Sequence, residues 1–565
     1  MSTRVPRAIV TRASTPRTIV AEPAAATPAA GTPAAVASAA VASAAPHAEE
    51  RASVGDWIAV AAGALGALMA TLDISITNSA LPQIQGEIGA TGTEGTWIST
   101  GYLMSEIVMI PLAAWLTRVF GLRNFLLTNS ALFIAFSMMC GWSHTLPMMI
   151  AGRIGQGFTG GALIPTAQTI IRTRLPLSQL PVGMTMFGLI VLLGPLLGPV
   201  VGGWLAENIS WSWCFFMNLP ICLALMTLLI VGLPSDRPHW EAFLKADWLG
   251  IVGLAIGLSS LTVVLEEGQR ERWFESSMIV ALTCVSVFGM LLIAASQLTA
   301  KKPIVRLSLM RNPNYASVIV IVSAVGAALY GVSYLVPQFL GVVAGYNAEQ
   351  SGAIMLLSGL PAFMIMPILP RLLGKVDFRV LVITGLVLYA ISCMIDIELT
   401  AQSVGHDFVW SQLIRGTAQM LAMMPLNQAS MAAVPREDSG DAAGLYNMAR
   451  NLGGSIGLAI IGTVIDRRTT FHTAMIRESV SANSLIGQES LAGSAANWFA
   501  HTGDMAYSQM RALGQLGVQI QQQAVVMTYS ETFYLLGIAM LACIPLALLL
   551  KTPRRNAPPP SSAGH

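Results

Sequence analysis

Trp57-Ile-Ala-Val-Ala-Ala-Gly-Ala-Leu-Gly-Ala-Leu-Met-Ala-Thr-Leu-Asp73-Ile-Ser-Ile-Thr-Asn-Ser79 is a continuous apolar run with one ionisable side chain, Asp73. At 1.5 Å per residue a helix of about twenty residues crosses roughly 30 Å of hydrocarbon. Similar runs recur to the end of the chain, near 96–118, 124–142, 146–171, 182–206, 211–233, 247–267, 276–297, 315–341, 348–370, 379–398, 407–432, 441–466 and 524–550. Recurrence decides the fold: one such run could be a buried core helix, but fourteen predict an all-α polytopic membrane protein. Lipid offers the backbone no hydrogen-bond partner, so each crossing must be helical.

Composition agrees. Of the 565 residues 54% are hydrophobic and 11% charged, with a mean hydropathy of +0.64. A soluble domain carries roughly 25% charged residues. The net charge of +2 gives no basic face for nucleic acid. Cys140, Cys214, Cys222, Cys284, Cys393 and Cys543 all lie in apolar runs, without the paired spacing of a disulfide framework or a zinc site; no metal is expected.

Residues 1–54, rich in Ala, Pro, Ser and Thr with Arg4, Arg7, Arg12 and Arg17, cannot bury a core and read as a disordered cytoplasmic tail. A second tail is expected at 553–565. Placing the N-terminus inside puts Arg118, Arg123, Arg172, Arg174, Arg237, Lys245, Lys301, Lys302, Arg306, Arg311, Arg371, Lys375, Arg379 and Arg436 in cytoplasmic loops, against Arg270 and Arg272 in the short outer ones. That asymmetry is the positive-inside pattern. Both termini are then cytoplasmic, in a bacterial inner membrane. A polar loop, 467–523, lies outside and reads as partly helical.

The chain repeats itself. Arg153, Gln156 and Pro165-Thr-Ala-Gln168 in the fourth run are echoed by Arg415, Gln419 and Pro425-Leu-Asn-Gln428 in the twelfth. Two six-helix halves, 55–235 and 301–552, flank an inserted pair of linker helices within 236–300. Repeated halves around a central path are the mark of secondary transporters.

An ionisable group in hydrocarbon costs at least about 2.5–3.5 kcal/mol and is a functional hypothesis by default. Asp73, Glu106 and Arg153 are such groups. Asp73 and Arg153 share a depth, about two turns from the outer surface, and could pair; Glu106 is slightly deeper. Burial and a nearby Arg act oppositely on a carboxyl group's proton affinity, so Asp73 and Glu106 are assigned proton carriage, tuned by Arg153. Arg415 and Arg450 show no evident partner within their half, and Asp396 and Glu398 fall too near a helix end to count as intramembrane. Gly194-Pro195-Leu-Leu-Gly198-Pro199-Val-Val-Gly202-Gly203 spaces small residues four apart, which permits close helix approach, while its prolines favour bending. Tight packing and a hinge between halves are both open readings. Tyr102, Gln156, Gln168, Gln338, Arg415, Gln419, Met423, Asn447 and Arg450 are candidate cavity residues, with Met supplying an adaptable wall.

With these elements in place the chain resembles the major facilitator superfamily, specifically its fourteen-span EmrB/QacA-type drug:proton antiporters. The resemblance, over about 57–550, rests on Leu72-Asp73 through Asn78-Ser-Ala80-Leu-Pro82, Gly152-Arg153-Ile-Gly-Gln156-Gly157 and Gly194–Gly203. Trp211-Ser-Trp213 through Asn218-Leu-Pro220 and Arg450-Asn-Leu-Gly-Gly-Ser455-Ile-Gly457 complete it. It implies proton-driven efflux of hydrophobic small molecules, with Asp73 and Arg153 in the coupling machinery and the glycine–proline run as the antiporter helix. No cofactor is implied beyond the proton gradient. A loop motif of the form Gly-x-Leu-x-Asp-Arg-x-Gly-Arg is degenerate here: Ala114-Trp-Leu-Thr-Arg118-Val-Phe-Gly121-Leu-Arg123 lacks the first Gly and the Asp, so the gate latch assigned to that Asp is not expected from this loop. Some such transporters engage a periplasmic adaptor and an outer-membrane channel, with which the 467–523 loop is compatible. The alternative is an exporter of a dedicated metabolite, organic acid or siderophore, for which Arg415 and Arg450 could supply positive charge. No nucleotide-binding loop or nucleophile elbow appears, so no enzyme activity is expected.

Overall fold

The computed structural model describes residues 52–550 apart from 177, 236–237, 301–302, 366 and 481–484. The two terminal tails and the basic residues Arg237, Lys301 and Lys302 lie outside the described residues, apart from 52–54 of the first tail. Among the described residues all regular structure is helical.

Six helices build the first half: α1 (Val54–Ile88), α2 (Trp97–Phe120), α3 (Leu122–Gly141), the pair α4 (Leu146–Gly160) and α5 (Leu163–Arg174), α6 (Leu180–Asn208) and α7 (Asn218–Gly232), counting that pair as one crossing. Two follow from the linker, α8 (Trp248–Glu267) and α9 (Ser277–Thr299). The second half comprises α10 (Pro313–Val342), the short series α11 (Ala348–Leu356), α12 (Gly359–Ile365) and α13 (Leu369–Lys375), then α14 (Phe378–Ile395), α15 (Val409–Ala432), α16 (Ser439–Ser479), α17 (Leu485–Thr502) and α18 (Met505–Ala542).

Eleven of the described helices are long and apolar enough to cross a membrane. The other three expected crossings differ for local reasons. The run at 146–171 breaks at Gly161 and Ala162 into α4 and α5, and that at 348–370 falls into three short helices. The run at 407–432 is one helix carrying Gln412, Arg415, Gln419, Asn427 and Gln428, too polar to stand among the eleven. The outer face is apolar, with Leu223, Ile230, Val231, Phe288 and Leu291 each at least half exposed; an apolar patch of that extent is a surface for lipid.

Sequence punctuation explains the boundaries. Ser53 and Asp56 form a reciprocal capping box at the start of α1, and Asp247, Asn312 and Asp504 cap α8, α10 and α18. The α2–α3 connection is a single residue, Gly121, at φ 80° and ψ 146°, a region open essentially to glycine. Two boundaries were misjudged from hydropathy. α1 continues past Ser79 to Ile88, so Asp73 sits deeper than two turns from the helix end. α16 runs on from 466 to Ser479 and packs with α18, against which α17 also lies, so the segment 467–523 is mostly helical; polar residues end the apolar run without ending the helix.

Candidate functional site

The Gly194–Gly203 segment determines how closely α1 and α6 lie. A Cβ on Gly194 or Gly198 would run into Thr71 or Ser75, and one on Gly202 would stand 2.7 Å from the Ile76 carbonyl oxygen. Gly203 has open space instead. Pro195 and Pro199 lie inside an unbroken α6, and the Pro195 carbonyl accepts from Ser75 at 3.5 Å. Close packing is what this geometry displays.

Two residues from both Thr71 and Ser75, and so on a different face of α1, stands Asp73, 1% exposed. Arg153 of α4 donates to its Oδ2 at 2.6 Å; Gln156 and Asn218 donate to Oδ1 at 3.0 and 2.6 Å. Ser137 on α3 accepts from both amides. Arg153 also reaches Gln156 Oε1 at 3.0 Å and the Ile98 carbonyl at 3.3 Å, and its guanidinium lies 4.3 Å above the Tyr102 ring. A buried ion pair persists only when its remaining polar atoms are satisfied, and this one is met from α1, α2, α3, α4 and α7. Sequence reading paired Asp73 with Arg153 but did not foresee Asn218 and Ser137, whose roles depend on helices meeting across the half.

Glu106 is different. It is buried against Gly161, and the charges nearest it are Arg450 and Arg153, but no ion pair within 4 Å holds it among the described residues. Beside it, Arg450 donates to Asn451 at 3.2 Å, and Tyr330 of α10 donates to the same oxygen at 3.3 Å. Glu106 therefore lies at the junction of the halves.

The remaining candidates scatter. Gln168 accepts from Asn447 at 2.7 Å, joining α5 to α16. Gln338 is exposed on α10, Gln419 is half-buried on α15 and Met423 is buried there. Arg415 corrects the sequence reading: it has a partner, Asp396, at 2.5 Å. Asp396, though at a helix end, is buried: it sits in the 3-10 turn Asp396–Glu398, which packs against α14 and α18, and pairs with Arg415 of α15.

At the end of the bundle carrying Arg118, Arg123, Arg172 and Arg174, the basic end, the halves are tied. Arg118 donates across to Asp441 of the second half at 3.0 Å, while Arg306, within that same half, pairs with Asp438 and, at 3.5 Å, with Asp441. The degenerate loop motif thus still reaches the other half, through its Arg and an acid supplied by α16. At the opposite end α8 is wedged between the halves: Glu267 accepts from Thr96, the residue preceding α2, and from Thr100 of α2, and Glu266 from Ser455 of α16 at 2.7 Å.

Residues 63–458 match the family described as Major Facilitator Superfamily. The chain is 32% identical over 495 residues to the colistin resistance protein EmrB of Acinetobacter baumannii, covering 87% of this chain and 96% of that one. It is 30% identical over 492 residues to the multidrug export protein EmrB of Escherichia coli K12, covering 86% and 94%. Among solved structures, the human organic anion transporter MFSD10 (TETRAN) superposes with a TM-score of 0.54 at 14% identity, over 86% of this chain and 99% of that one.

Proposed function

The chain belongs to the major facilitator superfamily, in its EmrB-type branch, and from that premise we propose that it exports hydrophobic, drug-like compounds in exchange for protons. The observation that carries export is the near end-to-end similarity to two proteins named for multidrug export and colistin resistance. As a transporter it works in a bilayer on small molecules. The asymmetry of the basic loops supports a reading with both termini in the cytoplasm of a bacterium and the chain in the inner membrane. The reading assigns it no covalent chemistry and no cofactor, the proton gradient supplying the driving force.

Alternating access follows from the contacts. The ties Arg118–Asp441 and Gln168–Asn447 act as a closed cytoplasmic gate, and they must part for the inward-facing state. Of the two candidate proton carriers, Glu106 can bind a proton without first breaking an ion pair, whereas Asp73 must release Arg153 to do so. Loading Glu106 alters the balance with Arg450 across the junction, and so biases the two arrangements of the halves. The helical 467–523 segment presents Met505, Met510, Leu513 and Val518 more than half exposed, a surface suited to a periplasmic adaptor that would hand substrate to an outer-membrane channel.

Reconstitution in liposomes with a trapped pH dye tests the reading. Adding a lipophilic cation should discharge an imposed proton gradient in the wild type and fail to do so in Asp73→Asn. No proton movement beyond that of protein-free liposomes with any lipophilic cation or aromatic acid would overturn it.

A further inference from the structure

The second half contains a charge site that the first half does not explain. Tyr389, Cys393 and Asp396 fall one and two turns apart on a single face of α14 and its terminal 3-10 turn, against Gln412 and Arg415, one turn apart on α15. All four polar members are nearly sealed: Tyr389 and Asp396 are 1% exposed, Gln412 2% and Arg415 3%. Arg415 donates to Asp396 Oδ2 at 2.5 Å and to Ser392 Oγ at 3.3 Å. That leaves Asp396 Oδ1, Arg415 Nη1, Gln412 Nε2 and the Tyr389 hydroxyl buried without a protein partner.

The contrast with the first half is informative. There Ser137, at the matching place on the third helix, completes a set in which both Asp73 oxygens are bonded. In the second half the acid comes from the end of the third helix instead of the first, and the set stays open. An unpaired buried polar atom is costly, and a small polar guest would relieve four of them together. The free atoms comprise donors on Arg415 and Gln412, an acceptor on Asp396 and a hydroxyl able to act as either, a combination that suits water.

We propose that Tyr389, Asp396, Gln412 and Arg415 form a hydrated proton-binding site in the second half, so that this transporter carries titratable carboxyl groups in both halves. The proposal rests on the antiport reading. The step is a proton transfer: water delivers H⁺ to Asp396 Oδ1, the carboxylate becomes a neutral carboxyl group, Arg415 keeps its charge, and the site's net charge rises from zero to plus one. The site lies at the end of α14 remote from the basic loops, the side from which an inward proton gradient loads. The groups facing Asp396 are Arg415 and Ser411 from α15, and Tyr389 and Cys393 from α14. From α18, packed against the same end, comes Glu531, already held by Arg468 and His472.

The test uses the full-length purified protein in detergent, titrated with acid and followed by difference infrared spectroscopy in the carboxyl C=O stretch. Asp396→Asn alone would strand Arg415, so the variant is Asp396→Asn with Arg415→Gln. Loss of a protonated-carboxyl component relative to wild type is the expected result; an unchanged spectrum overturns the site. If the double variant does not insert, Tyr389→Phe, which keeps the ion pair, should displace the titration midpoint of that component, and an unmoved midpoint overturns it instead. In liposomes the double variant should release fewer protons per tetraphenylphosphonium moved. Absent proton flux in the wild type would refute the antiport reading, while the infrared result still decides whether Asp396 takes up a proton.

Discussion

Asp73 and Glu106 are both buried carboxyl residues of the first half, yet their surroundings call for different responses to neutralisation. Asp73→Asn leaves Arg153 buried without a counter-charge, which costs about 3–5 kcal/mol for a pair of this kind. Thermal unfolding in detergent should show that loss, and the double variant Asp73→Asn with Arg153→Gln should recover part of it while export stays absent. Glu106→Gln keeps its shape and breaks no ion pair, so unfolding should move little while the pH profile of export changes; an unaltered profile with full activity would assign Glu106 to packing. The sequence marks both residues as anomalies in apolar runs. It is silent on which one is paired, because Arg153, Gln156, Asn218 and Ser137 converge only when four helices meet.

On the scale of the helix, glycine spacing foretells contact but not what is contacted. Gly198→Val would drive a side chain into Ser75, and overpacking of this sort costs about 1–3 kcal/mol, whereas Gly203→Val meets open space and should be tolerated. Comparing the yields and melting temperatures of the two variants checks the assignment; equal losses would refute it. Gly121→Ala tests a backbone argument instead, since φ 80° with ψ 146° admits a β-carbon only with strain of about 1–3 kcal/mol. Its expected result is a lowered melting temperature without a change in substrate range. Hydropathy windows mislocated the ends of α1 and α16 because a helix stops where its backbone bonds are capped, not where apolar residues cease.

For the whole molecule the governing feature is an unequal set of ties between halves. Arg118 is half exposed and Asp441 buried, so the cost of desolvating the acid offsets much of the pair's attraction, and its effect falls on which end is shut. Arg118→Ala with Asp441→Asn, which removes both charges of the pair together and leaves Arg306 with Asp438, should leave folding nearly intact and raise labelling of a cysteine placed at Gly440 by a membrane-impermeant thiol reagent applied from the basic side. Labelling equal to that of the parent would show that the latch carries no gating energy. The inserted α8 spans the other end, with Glu267 on α2 and Glu266 on α16, so the linker pair is part of the gate region as well as a connector.

The sequence by itself determined the membrane-spanning helical class, the repeat, the basic-loop asymmetry and the family, because each follows from local hydropathy, charge and short motifs. It also singled out Asp73, Glu106 and Arg153, since an ion in an apolar run is visible without any fold. Tertiary structure alone decided the partners. Asp441 reaches Arg118 from more than three hundred residues away, Asn218 completes the Asp73 set, and Asp396 becomes the buried mate of Arg415. The physical reason is common to all three: a charge's state depends on what lies within a few ångströms of it, and helix packing brings those neighbours from any distance along the chain.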